Sequence, residues 1–189
     1  MSHLVDYFAL LQQPRRPWLD PEKLKEKYHQ LTKAAHPDRP SASPDSDFAS
    51  INEAYRGLLD PRLRLQHLLA LEGIPTTNTG AVPKTLSDVF LDTGTLIQEI
   101  DRLLARSTTS KLSKALLQSQ VLEKQRLAAD LLEKLRSMHE VAIQELQALD
   151  RSWVSNPELA PQVSELSSKF AYLSRWITQL EERKFQLSI

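Results

Sequence analysis

The sequence predicts an all-α protein, with an N-terminal helical hairpin followed by a C-terminal three-helix bundle. Apolar residues recur at spacings of three and four through most of the chain, as they do on one face of a helix. Only four glycines occur among the 189 residues. Residues 111–150 contain neither glycine nor proline, which permits a single helix of about 60 Å.

The first elements are a short apolar helix over 5–11 and a longer helix from Pro21 to Ala35. Asp20 and Pro21 form a typical helix start, because aspartate caps free N–H groups and proline tolerates the first turn. The apolar stripe of the longer helix contains Leu24, Tyr28, Leu31 and Ala35. Four lysines lie opposite and beside this stripe, where a solvated face is the simplest interpretation; they are Lys23, Lys25, Lys27 and Lys33.

The predicted hairpin turns at His36-Pro37-Asp38. Pro37 disfavours helical geometry at His36, so the preceding helix should end there. Ser43 and Pro44 predict the start of the next helix. Its apolar face consists of Phe48, Ile51, Ala54, Tyr55, Leu58 and Leu59. The tip therefore carries an imidazole and a carboxylate on a proline-stiffened loop.

The rest of the chain predicts one more short helix, a linker and the bundle. Asp60 and Pro61 mark a joint, after which a short apolar helix ends at Gly73. The proline- and glycine-containing stretch 76–83 indicates a linker. We therefore predict domains over 1–75 and 84–189. The first bundle helix starts near Thr85 and should bend around Gly94. Each of the other two bundle helices carries a seam, that is, a row of apolar residues at spacings of three and four. The seam of the second helix consists of Ala128, Leu131, Leu135, Met138 and Ala142, and that of the third consists of Val163, Leu166, Phe170, Leu173, Ile177 and Leu180.

Composition excludes several classes of function. Lysine plus arginine equals aspartate plus glutamate at 24 each, so nucleic-acid binding through bulk positive charge is disfavoured. The absence of cysteine excludes disulfides, thiolate zinc sites and thiol catalysis. No apolar run is long enough for a membrane span, and no secretory signal is recognisable. We expect a cytoplasmic protein with no membrane or nucleic-acid partner.

A catalytic interpretation of His36 and Asp38 is disfavoured. A general base needs an orienting partner, a nucleophile within reach and a shaped pocket, whereas this loop consists of prolines, serines and alanine. His29, His36 and His67 show no recognised metal-ligand spacing. For His3, His29, His67 and His139 we expect surface or half-buried side chains. The sequence thus predicts no enzyme, no catalytic residue, no metal and no cofactor.

The His-Pro-Asp tripeptide at a hairpin tip resembles a J-domain. The similarity extends to residues 5–11 in the opening helix, to 28–31 before the tripeptide and to 51–55 in the following helix. More narrowly, residues 60–73 resemble the end of the J-domain in the HscB (Hsc20) family of iron–sulfur co-chaperones. Phe90-Leu91, Leu180-Glu181-Glu182 and the three-helix domain add to this resemblance. No glycine/phenylalanine-rich linker or cysteine-rich zinc module follows, unlike in general DnaJ-type proteins.

The resemblance implies a DnaK/HscA-type ATPase chaperone as the first partner. Carried over by position, His36, Pro37 and Asp38 form the switch that promotes ATP hydrolysis by that chaperone. The basic face implied for docking consists of Lys25, Lys27, Lys33 and Arg39. His29 stands where many J-domains carry a basic residue.

The second partner implied is an IscU-type iron–sulfur scaffold, bound by the bundle. The residues at matching positions are Leu91, Leu96, Glu99 and Tyr172. This chain departs from the family pattern at Asp92, Gly94 and Thr95, which interrupt a usually apolar and acidic stripe. Two alternatives therefore stay open: a J-protein that delivers a different client, and a structural helical adaptor without chaperone function.

Overall fold

The computed structural model describes residues 4–34, 46–75, 82–107, 111–153 and 157–188. Every regular element within these ranges is helical, which confirms the all-α prediction. The helices are α1 (Tyr7–Leu10), α2 (Pro21–Ala34), α3 (Ser46–Leu59), α4 (Pro61–Leu71), α5 (Ser87–Ser107), α6 (Lys111–Ser152) and α7 (Ala160–Gln186), with 3₁₀ turns at Lys84–Leu86 and Pro157–Leu159.

Three aspartates cap helices in the N-terminal region. Asp6 accepts hydrogen bonds from the N–H groups of Phe8 and Ala9 and so caps α1. Asp60 accepts from the two N–H groups that follow Pro61 and caps α4. The Asp20 carboxylate likewise accepts from the Glu22 N–H at 3.0 Å at the start of α2. Each carboxylate satisfies N–H groups that have no partner within the helix.

The chain forms two compact units, and neither is one continuous segment. The first consists of Met1–Thr79 with Gln144–Ser167, so the C-terminal end of α6 and the start of α7 belong with α1 to α4. Its core is made of aliphatic and aromatic side chains from all these elements: Phe8, Leu11, Leu19, Leu24, Ile51, Ala54, Leu58, Leu65, Leu68, Leu69, Leu146, Leu149, Trp153 and Val163.

The second unit consists of Gly80–Ile143 with Ser168–Ile189 and contains α5 with the longer parts of α6 and α7. The predicted seams supply its core: Ala128, Leu131, Leu135, Ala142, Phe170, Leu173 and Leu180 are buried. From α5 come Val89, Leu96, Ile100 and Leu103. The predicted bend does not interrupt the helix, because α5 continues through Gly94 as a single element.

Helix α1 is shorter than the sequence predicts, since the predicted helix covers 5–11 and only Tyr7–Leu10 is helical. The second helix ends at Ala34 within the described residues. No helix in the described ranges is both long and apolar enough to cross a membrane.

Candidate interaction sites

The helical hairpin is held by aromatic and polar contacts between α2 and α3. The rings of Tyr28 and Tyr55 stack with their centroids 4.1 Å apart. The Tyr28 hydroxyl donates to Asn52 Oδ1 at 2.6 Å, and the Asn52 amide donates to the Phe48 carbonyl at 2.8 Å. Leu24 of α2 is completely buried. The two helices therefore present fixed outer surfaces.

The predicted docking lysines lie on the outer surface of α2. Lys25 and Lys33 are exposed, and Lys27 is half-buried. At 100° per residue, Lys25 and Lys27 are on opposite flanks of the apolar stripe, while Lys33 points towards solvent. The lysines thus surround the solvent face of α2 instead of forming one row.

His36, Pro37, Asp38 and Arg39 lie outside the described residues. Their predicted roles remain predictions from the sequence.

Helix α1 is packed against α3 and α4 by Tyr7. The Tyr7 ring stacks on His67 of α4 with centroids 4.3 Å apart, and its hydroxyl donates to Glu53 Oε1 at 2.8 Å. This hydrogen bond, the neighbouring carboxylate and partial burial raise the pKa of Tyr7. The absence of a side chain at Gly57 is required here, because a Cβ at that position would lie 2.9 Å from Tyr7 Cε2.

His67 is more buried than the sequence analysis predicts. Its imidazole is 9% exposed, and Nε2 accepts a hydrogen bond from the Tyr7 N–H at 3.1 Å. Nε2 must therefore keep its lone pair, which fixes the neutral tautomer with the proton on Nδ1. Burial lowers the pKa of His67, with Asp6 opposing and Arg15 adding to the effect.

Two buried charged groups organise the loop between α1 and α2. The guanidinium of Arg64 donates to the carbonyls of Pro17, at 2.8 Å, and Leu58, at 2.6 Å. Burial lowers its pKa to about 10. From α6, Asp150 accepts from the Trp18 N–H at 3.1 Å and pairs with Arg16 at 2.8 Å.

The predicted client residues of α5 differ in accessibility. Leu91 is 69% exposed, whereas Leu96 is only 7% exposed and packs into the core. Glu99 accepts a hydrogen bond from Lys124 of α6 at 2.8 Å. Of these three, Leu91 is the side chain that a partner can reach most easily, and Leu96 forms part of the support beneath it.

Leu91, Leu96 and Glu99 line a common groove between α5 and α6, with a volume of about 440 Å³. The second wall comes from α6, which the sequence analysis did not consider: Leu127, Asp130, Leu131 and Lys134. Their spacing of three, one and three places them on one helix face, but spacing does not show that this face meets α5. Asp92 approaches Lys134 at 3.9 Å across the groove.

Tyr172 does not line this groove. Its ring lies 5.4 Å from Trp176 of α7, and Trp176 in turn lies 6.1 Å from Phe90 of α5. Phe90 is 45% exposed. The structure therefore separates the predicted client residues between the α5–α6 groove and an aromatic cluster where α5 meets α7.

Comparison with known proteins identifies the N-terminal region first. Residues 6–67 match the family model of the DnaJ domain. Over 96% of its length the chain is 29% identical to the co-chaperone protein HscB of Proteus mirabilis, of which it covers 98%. The N-terminal region is a DnaJ domain, and the chain as a whole is similar to HscB co-chaperones. The DnaJ match contains α1, α2, α3 and the first part of α4, and α2 and α3 form its hairpin.

Two other similarities agree with this assignment. A co-chaperone protein HscB homolog of Azoarcus is 36% identical over 44% of the chain and 52% of that relative. The structure of chaperone HscB from Vibrio cholerae aligns with a TM-score of 0.61, at 20% sequence identity, over 97% of this chain and 99% of that one. The chain therefore has that fold.

Proposed function

We propose that this chain stimulates the ATPase of a DnaK/HscA-type chaperone through its J-domain and delivers an IscU-type iron–sulfur scaffold through its C-terminal bundle. The observation that carries the proposal is the similarity to the Proteus mirabilis co-chaperone, which spans nearly the whole of both chains. ATP hydrolysis takes place in the partner, so the chain itself needs no catalytic residue.

The proposed chaperone contact combines long-range and short-range interactions. Lys25 and Lys33 project from α2 into solvent, where their charge can steer the approach of an acidic surface. His36, Pro37 and Asp38, with Arg39 beside them, then make the contacts that favour the hydrolysing conformation of the ATPase. Only interactions that differ between the two states of the partner can shift its equilibrium.

The proposed client contact uses the bundle, for which we retain the domain assignment 84–189. Leu91 is the exposed apolar anchor, and Leu96, Glu99 and Tyr172 support or flank it. The J-domain assignment, 1–75, provides the other contact, with 76–83 between them. A single chain then brings the scaffold to the ATPase.

A second candidate function is the delivery of a different client to the same type of chaperone. It is favoured by the Asp92–Lys134 pair across the α5–α6 groove, since a partner that fills the groove must displace or replace these charges. Titration of an IscU-type scaffold decides between the two, because the second candidate requires that the scaffold not bind.

The proposed function is tested by the steady-state ATPase rate of a DnaK/HscA-type chaperone. The unaltered chain should raise the rate, and His36→Gln should abolish the increase, because the imidazole is lost from the switch. His29→Gln is the matched control: this exposed histidine on α2 should be replaceable with little loss of stimulation. Full stimulation by His36→Gln would exclude the proposed switch.

A further inference from the structure

Two tyrosine hydroxyls donate hydrogen bonds to neighbouring residues of α3, and they connect it to different helices. Tyr28 of α2 donates to Asn52 Oδ1 at 2.6 Å, and Tyr7 of α1 donates to Glu53 Oε1 at 2.8 Å. Consecutive residues of a helix point about 100° apart, so Asn52 faces α2 whereas Glu53 faces α1. Both tyrosines are half-buried. Of these two similar hydrogen bonds, only the one from Tyr28 involves the helix that carries the predicted docking lysines.

The side-chain amide of Asn52 has one orientation. The Phe48 carbonyl can only accept a hydrogen bond, so the amide nitrogen of Asn52 must face it, at 2.8 Å. The amide oxygen then faces the Tyr28 hydroxyl, which must act as the donor. Asn52 thus joins the backbone in the first turn of α3 to a side chain of α2.

This link lies equally far from the two helix ends that flank the predicted switch. Tyr28 is six residues before Ala34, where α2 ends, and Asn52 is six residues after Ser46, where α3 begins. Both distances are about 9 Å along the helix axis. Because α2 and α3 are continuous over these stretches, a shift of one helix against the other at Asn52 also shifts Ala34 relative to Ser46.

Ring stacking between α2 and α3 leaves one motion open. The rings of Tyr28 and Tyr55 are nearly parallel, with centroids 4.1 Å apart and planes at 17°, and stacked rings tolerate a range of offsets. A hydrogen bond is directional, so the contact of the Tyr28 hydroxyl with Asn52 fixes the offset. Loss of this bond should permit α2 to slide along α3 while the helices stay packed.

We propose that Asn52 is a positioning residue for stimulation of the chaperone ATPase, because it holds α2 in register with α3 through the Tyr28 hydroxyl. The inference rests on the proposed function. Lys25 and Lys33 steer the approach through long-range charge, which tolerates small displacements of α2. The hairpin tip acts at short range, so the register of the two helices determines what fraction of the docked complexes hydrolyses ATP.

The test titrates a DnaK/HscA-type chaperone with the full chain and measures two quantities: the maximal stimulated ATPase rate, and the concentration of chain that gives half of it. Tyr28→Phe keeps the ring but removes the hydroxyl. This variant should lower the maximal rate by about threefold, a factor typical for the loss of one hydrogen bond, and leave the half-maximal concentration unchanged. Tyr7→Phe is the matched control and should leave the maximal rate unchanged, since α1 carries neither the docking lysines nor the tip.

A purely structural role of the Tyr28 hydroxyl predicts a different result. Partial unfolding lowers the concentration of active chain, so it raises the half-maximal concentration, but an excess of chain restores the maximal rate. Lys25→Gln combined with Lys33→Gln should also raise the half-maximal concentration, because steering is weakened. Circular dichroism verifies that every variant keeps its helices.

A double-mutant cycle tests whether the Tyr28 hydroxyl acts through Asn52. Asn52→Ala should lower the maximal rate at least as much as Tyr28→Phe does, and the two changes together should have no greater effect than Asn52→Ala alone. If Tyr28→Phe has the same effect in both backgrounds, the hydroxyl acts without Asn52 and the inference is wrong.

The inference is also wrong if Tyr28→Phe leaves the maximal rate unchanged, or if Tyr7→Phe lowers that rate equally. In each of these cases the unaltered chain still stimulates the ATPase, and the proposed function stands. If the unaltered chain does not stimulate the ATPase, the proposed function is wrong and the inference falls with it.

Discussion

Individual residues in the J-domain fix the position of its short first helix. Tyr7 is held from three sides: its ring by His67, its hydroxyl by Glu53 and its backbone N–H by His67 Nε2. A four-residue helix has too few internal hydrogen bonds to be stable alone. Its placement therefore depends on these contacts, and changes to them should be measurable in the stability of the whole unit.

Lowering the pH should destabilise the protein through His67. Its pKa is lowered in the folded state by burial, so the unfolded chain binds this proton at a higher pH than the folded chain does. The free energy of unfolding should therefore be at its full value above the usual histidine pKa of about 6.5 and decrease as the pH falls through it. Thermal unfolding at pH 7.5 and 5.5 measures this loss.

The control for this prediction is His67→Gln, which retains a hydrogen-bond acceptor for the Tyr7 N–H but does not titrate. The variant should lose less of its unfolding temperature between the two pH values than the unaltered chain does. An equal loss in both proteins would show that His67 is not the group responsible. Asp6 affects stability in a lower pH range than His67. Partial burial opposes the ionisation of its carboxyl group, but hydrogen bonds from Ala9 and Arg15 outweigh this effect and lower its pKa.

Substitution by alanine should have opposite effects on the free energy of unfolding at two glycines that lie within helices. Gly57 of α3 lies against the Tyr7 ring, which cannot move freely because it stacks on His67 and its hydroxyl is hydrogen-bonded to Glu53. Gly57→Ala should therefore lower the free energy of unfolding by about 1 kcal/mol, since overpacking outweighs the better helix propensity. Gly94 of α5 has no neighbour within 4 Å of an added Cβ, and Gly94→Ala should raise the free energy by about 1 kcal/mol.

Urea denaturation of the two variants measures both changes. The pair controls for helix propensity, because the same substitution is made inside a helix in each case. A stabilised Gly57→Ala variant would mean that the Tyr7 ring moves aside at little cost.

At the scale of elements, the boundaries of the helices follow local chemistry. Asp20 caps α2, as the sequence predicts, and Asp60 caps α4; each lies just before a proline. Gly73 ends the α4 region with a positive φ of 68°, a conformation that glycine adopts without strain. Gly94 does not end α5, because a single glycine costs a helix only about 1 kcal/mol and the buried face on either side of it outweighs that cost.

The spacing of apolar residues also predicted which face of each bundle helix is buried. The seams predicted on α6 and α7 are largely buried in the structure, because spacings of three and four place side chains on one side of a helix. Leu96 follows the same pattern and packs inside, while Leu91 lies outside it. In the structure, the same pattern therefore distinguishes Leu91, a predicted client residue that is exposed, from Leu96, which is buried.

At the scale of the whole molecule, Asp150 ties the loop before α2 to α6. It is 7% exposed and accepts hydrogen bonds from the Trp18 N–H and the Arg16 guanidinium. Asp150→Ala should lower the free energy of unfolding by roughly 2 kcal/mol, because the partly buried Trp18 N–H loses its acceptor.

The matched control is Asp130→Ala, which removes an exposed aspartate from the same helix and should change the free energy by less than about 0.5 kcal/mol. Urea denaturation of both variants gives the two values. Equal stability of the variants would contradict a role for Asp150 in joining the first unit.

The composition of the two compact units was not predictable from the order of elements along the chain. The predicted domains are continuous segments, whereas the first compact unit includes Gln144–Ser167. Nothing local to Asp150 indicates that its carboxylate will meet Arg16 and Trp18, more than 130 positions earlier. Contacts at this separation depend on how several helices pack together.

The amino-acid sequence by itself determined the helical class, the cap at Asp20, the buried seams of the bundle and the resemblance to a J-domain around His36-Pro37-Asp38. Those features depend on local backbone preference and on periodicity, which neighbouring residues specify. Only the tertiary structure decided that His67 is a buried hydrogen-bond acceptor and that Asp150 of α6 accepts a hydrogen bond from the loop before α2. The same is true of the second wall of the groove beside Leu91, which α6 supplies. Each of these depends on side chains from separate helices meeting in space, and helix packing determines such encounters.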